Sequence, residues 1–83
     1  MDDNLVVVVI EDTYTAEKVV NVYTNIHAAL DACWEDYLDT CRARVGSTLV
    51  PKYVFQQRLA EDEIYLEKSI GSEYSIYHTT IQA

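Results

Sequence analysis

The hydrophobic pattern changes period several times along the chain. Leu5-Val-Val-Val-Val-Ile10 is an unbroken, mostly β-branched run and predicts a strand. Its apolar residues do not alternate with polar ones, which implies burial on both faces and a central place in a sheet. Glu11 to Ala16 is a polar connection without Gly or Pro, long enough for an open hairpin. Glu17 to Tyr23 then predicts a second strand, with Val20, Val22 and Thr24 on one face and Val19, Asn21 and Tyr23 on the other. From Asn25 to Arg44 the period becomes helical. Ile26, Ala29, Leu30, Cys33, Trp34, Tyr37, Leu38, Cys41 and Val45 recur at spacings of three and four. Thr24 or Asn25 suits the N-cap, Arg42 and Arg44 complement the helix dipole, and Gly46 is a natural stop.

Ser47 to Ala60 reads as a short helix with Pro51 in its first turn and Val54, Phe55 and Leu59 inward, although an irregular strand also fits. Glu61-Asp62-Glu63 is a charged break. Ile64 to Ile70 and Glu73 to Ile81 follow as two strands around Gly71-Ser72, a pair that suits a tight hairpin. A two-residue loop places Ile64 and Leu66 opposite Thr79 and Tyr77, and a three-residue loop places them opposite Thr80 and His78. The expected fold is therefore α+β, a single domain over residues 1–83 in the order β-β-α-(α)-β-β. Its four-stranded antiparallel sheet packs on one long amphipathic helix. One helix covers one face of a sheet. The second face needs the Ser47–Ala60 segment, a second copy or a partner protein.

Composition adds constraints to this outline. The 83 residues are 49% hydrophobic and 24% charged, as in a folded globule. A formal charge of −8 argues against direct nucleic-acid binding, which rests on Lys and Arg neutralising phosphates. It argues equally against an anionic membrane surface. The longest apolar run is too short to span a bilayer, and the acidic Met1-Asp2-Asp3 is the opposite of a secretory n-region. Cys33 and Cys41, eight residues apart on one helix, lie about 12 Å apart along its axis. A disulfide needs Cα atoms within about 7 Å. Two buried thiols in a reducing cytoplasm are expected instead.

The candidate chemistry is sparse. Asp31, Glu35 and Asp39 stand at i, i+4 and i+8, and with Asp36 they are expected on the solvent face of the helix. The stripe is either an acidic docking surface or a solvated coat. A rise of about 6 Å per four residues is too sparse to imitate a strand with a phosphate every 3.4 Å or so. The negative charge is distributed: residues 1–24 carry −4, 25–46 carry −2, 47–60 carry +2 and 61–83 carry −4. Seven tyrosines form the second feature, and Tyr65, Tyr74 and Tyr77 crowd the closing hairpin, where they serve as sheet packing or as interface anchors. They cannot all face the helix in any one register. Trp34 and Tyr37 either line or fill a space between helix and sheet. Glu11/Asp12 and Glu61/Glu63 fall on turns, not in an opposed catalytic pair, and His27 and His78 stand apart. No enzymatic activity, cofactor or metal is expected from these patterns.

The succession of a Val-rich opening strand, a second strand ending in Val22-Tyr23-Thr24-Asn25, an amphipathic helix and the Tyr-rich Tyr74-Ser-Ile-Tyr-His78 resembles a known group. These are the small acidic proteins that tailed phages and prophages encode in early or accessory regions. The resemblance implies an anti-defence protein in the host cytoplasm, of the kind that inhibits restriction or CRISPR effectors. The expected partner is a basic, nucleic-acid-binding protein, engaged through Asp31, Glu35, Asp36, Asp39 and exposed tyrosines. The alternative is a homodimeric accessory module that buries the free sheet face.

Overall fold

A computed structural model describes the backbone of residues 2–44 and 49–82, and the side chains of residues 4–44 and 49–79. The order is β1 (Asp2–Asp12), β2 (Glu17–Tyr23), α1 (Ile26–Ala43), α2 (Lys52–Asp62), β3 (Ile64–Glu67) and β4 (Ser72–Gln82). The strands form one antiparallel sheet in the order β2-β1-β4-β3. The Val-rich β1 is central, as its two-sided apolarity implies. The α+β class and the four-stranded antiparallel sheet are as the sequence predicts; the long helix is the 18-residue α1, and the short helix expected within Ser47–Ala60 is the 11-residue α2, so the sheet packs on two helices.

Local chemistry explains the boundaries. Asn25 is the N-cap of α1, its side chain accepting the Ala28 N–H at 2.8 Å. Arg44 closes the helix by donating its N–H to the Thr40 carbonyl. Val45 and Gly46, expected in the helical stripe and at its stop, lie outside the described residues. Pro51 caps α2 one position before the first turn, where its carbonyl accepts the N–H groups of Val54 and Phe55. Glu61 and Asp62 continue α2 where a break was expected. Glu63 ends the helix in the left-handed region and passes its carbonyl to the N–H of Ile76 in β4.

The closing hairpin differs from both expected registers. Its loop holds four residues, Lys68 to Gly71, and Ile64 and Leu66 pair with Ser75 and Glu73. The reason is Ile70, which leaves the strand and buries its side chain completely in the core. Gly71 follows at φ 65 and resets the chain into β4.

Both helices pack on the same face of the sheet. Val6 and Val8 of β1, Tyr74 and Ile76 of β4 and Tyr65 of β3 point toward them and are buried. From α1 come Ala29, Leu30, Cys33, Tyr37 and Cys41, and from α2 Phe55 and Leu59. The centre is aromatic: Phe55 stacks on Tyr37 at 4.6 Å and meets Tyr65 and Tyr74 edge-on at 4.8 and 5.4 Å. The segment expected as a possible cover for the second face therefore joins the first. Nothing among the described residues lies on the other side.

Candidate functional site

The register fixes what the uncovered face presents. Val22, Val7 and Tyr77 form one row across β2, β1 and β4. Val20, Val9, Ser75 and Ile64 form the next across all four strands. Val20, Val22 and Tyr77 are 57–58% exposed and Ile64 and Leu66 nearly half exposed. An apolar surface this continuous on a solvent face is a feature of interaction sites. Single exposed valines need no explanation, but two adjacent, largely apolar rows, with Val7 and Val9 half-buried between exposed Val20, Val22, Ile64 and Tyr77, do.

The third row is charged: Lys18, Glu11 and Glu73 across β2, β1 and β4, followed by Leu66 on β3. Glu11 and Glu73 stand directly opposite, a like-charge pair that weakens the ladder. Lys18 reaches Glu11 at 3.8 Å. Glu73 has no ion-pair partner among the described residues. The face is thus apolar with an undercompensated acidic border.

The residues predicted from sequence are divided by the fold. Glu35 and Asp39 are exposed on α1 and unpaired among the described residues. Asp31 is exposed but engaged: Gln56 donates to it at 3.0 Å and Lys52 lies at 3.5 Å. That hydrogen bond and the ammonium hold its carboxyl below the usual range. Asp36 is not on the solvent face. It is half-buried toward the sheet and accepts a 2.8 Å hydrogen bond from the Tyr74 hydroxyl. Tyr65 and Tyr74 are core residues, so neither is an exposed anchor; pairing as Tyr65↔Tyr74 aims both rings at Phe55. Tyr77, three residues on from Tyr74 and so of opposite parity, is on the open face.

The protonation states follow the packing. Burial, reinforced by Asp36, pushes the Cys33 thiol up to about 12. Burial likewise raises Tyr37, Tyr65 and Tyr74 above the ordinary phenol range. Cys33 and Cys41 are both buried and outside any disulfide among the described residues. These groups are part of the packed core. Tyr37 fills the space between helix and sheet: its hydroxyl accepts the Val50 N–H at 3.1 Å and donates to Glu67 at 3.3 Å. A cleft of about 180 Å³ opens instead beside the β1–β2 hairpin, lined among others by Asp12, Glu17, Asp36 and Arg44. Arg44 pairs there with Asp12 at 3.7 Å and lies over the Tyr14 ring. Glu11 and Asp12 diverge to opposite faces of β1, and His78 meets Glu63 at 3.7 Å in an exposed pair.

Sequence reasoning missed Val7, Val9, Ile64, Leu66 and Glu73 as site residues. The signal was present in the two-sided apolarity of residues 5–10. No protein-family model matches the chain, and no curated protein or solved structure was found to be similar to it. No helix among the described residues is long and apolar enough to cross a membrane.

Proposed function

We propose that this chain is a non-enzymatic interaction protein whose open sheet face docks on a basic protein partner. The observation that carries the reading is the pair of uncovered apolar rows bordered by Glu11 and Glu73. The matching surface is apolar with Lys or Arg at its edge, as on a nucleic-acid-binding protein. Occupying such a surface inhibits it, which is the anti-defence role that the phage resemblance implies. A second copy stacked face to face complements the border poorly. Its cation in that row, Lys18, is already paired with Glu11. The acidic surplus of −8 supports the choice of a basic partner and speeds encounter at low salt. Glu35 and Asp39 add to that field from the other side of the molecule, and two buried thiols outside any disulfide suit a reducing cytoplasm.

The test is a comparative capture from the source cell, with wild-type protein and the Val9→Lys, Tyr77→Ser double variant. A basic protein retained by the wild type and lost by an equally folded variant is the expected result. The same protein retained equally by both removes the open face from the interface.

A further inference from the structure

The strand β2 carries a second, different opportunity for association. It is an edge strand, and natural sheets protect such edges with proline, bulges, short length or charge. The opposite edge, β3, is protected by its four-residue length. β2 has seven residues, no proline, an unbroken register with β1, and charge only at Glu17 and Lys18. Six of its seven residues are exposed. Val19 on the helix face and Val20 and Val22 on the open face are each more than half exposed. β2 therefore spends three β-branched side chains on contacts that its own chain does not make.

We propose that β2 pairs antiparallel with β2 of a second copy of this chain, about a two-fold axis at Asn21. The argument is the self-complementarity of that register. Val20 falls opposite the partner's Val22 on the open face, and Val19 opposite the partner's Tyr23 on the helix face. Asn21 meets its own counterpart. Glu17 lies on the helix face, because it pairs with Asp12. The register carries it to the start of the partner's α1, at Asn25. That helix has no acidic residue in its first turn, so a carboxylate from outside complements its dipole. A two-fold at Val20 instead sets Lys18 against the partner's Val22 and Glu17 against the partner's Tyr23. The Asn21 axis keeps apolar with apolar and gives the acid a positive end.

The result is an eight-stranded sheet in which all four helices stay on one side and the open faces merge. This pairing stands independently of the basic partner, whose docking face it leaves free.

Sedimentation equilibrium of the wild-type chain from about 5 to about 200 µM tests it, since a symmetric pair dissociates with dilution. A monomer–dimer equilibrium is expected in that range. Asn21→Lys, at an exposed position, sets like charges opposite at the axis and is expected to weaken the dimer about tenfold. Cross-linking tests the register itself. Directly opposed Cα atoms on antiparallel strands lie about 5 Å apart, within disulfide reach. Asn21→Cys is therefore expected to form a covalent dimer rapidly on mild oxidation. Glu17→Cys, about 27 Å from its counterpart in this register, is not. Buried Cys33 and Cys41 do not compete. A wild-type monomer throughout, a dimer unaffected by Asn21→Lys, or equal cross-linking of the two cysteine variants each overturns the proposal.

Discussion

Gly71 joins the two turns at one end of the molecule. Its carbonyl accepts both the N–H and the hydroxyl of Thr13, at 2.8 and 3.0 Å, and the Tyr14 ring rests where a Cβ would stand. Gly71→Ala places a side chain in the left-handed region and displaces Tyr14, so a loss of about 1–2 kcal/mol is expected in urea unfolding. The converse holds at Ala16 and Glu63, which occupy the same region at φ 63 and 61 without being glycine. Ala16→Gly and Glu63→Gly are each expected to raise stability by up to about 1 kcal/mol in the same measurement. The exposed His78–Glu63 pair adds too little to reverse the second change. At this scale the sequence was legible for caps and only half legible for turns. Asn25 announces itself by type and position. The Gly71-Ser72 pair announces a turn but not its length, because the length is decided by Ile70 finding a place in the core.

Among the elements, α1 was the most legible, since eight apolar positions at helical spacing leave little choice of face. α2 shows the opposite case. Its mean apolarity is low, and only Phe55 and Leu59 are buried, but Phe55 is the ring on which Tyr37, Tyr65 and Tyr74 converge. Phe55→Ala is therefore expected to cost about 3–5 kcal/mol, with loss of the near-ultraviolet circular dichroism that ordered aromatic packing produces. Which face of the sheet α2 would cover was not readable, because either face offered an apolar surface. The expected exposure of Asp36, Tyr65 and Tyr74 differs from the structure because tertiary packing decides it. Helical periodicity gave the solvent side of α1 for Glu35 and Asp39, yet Asp36 sits at the margin of the stripe, where a tyrosine hydroxyl from a distant strand captured it. Tyr74→Phe removes that donor, and a loss of about 1.5–3 kcal/mol is expected for a hydrogen bond to a carboxylate.

The whole molecule has a pH response with a definite sign. Cys33, ordinarily at 9.0, and Tyr37, Tyr65 and Tyr74, ordinarily at 10.0, are all pushed up by burial. The folded chain holds these protons after the unfolded chain has released them. Stability from this source is complete below about pH 9 and falls as the pH rises past 9 and then 10. Thermal midpoints are expected to drop by at least about 5 °C between pH 8 and pH 10.5.

The overall shape places two helices on one side and leaves an acidic-bordered apolar sheet on the other. Leu5 to Ile10 implied two-sided burial, and the fold buries one side only, which is the reason for assigning the other to a partner. Calorimetric titration of the captured partner, over a range of temperatures, tests that assignment most directly. Docking through the open face predicts a negative heat-capacity change, the mark of apolar burial, and loss of binding in Val9→Lys, Tyr77→Ser. Binding that shows no heat-capacity change, survives that variant and is abolished by Glu35→Lys, Asp39→Lys would contradict it and assign the interface to α1.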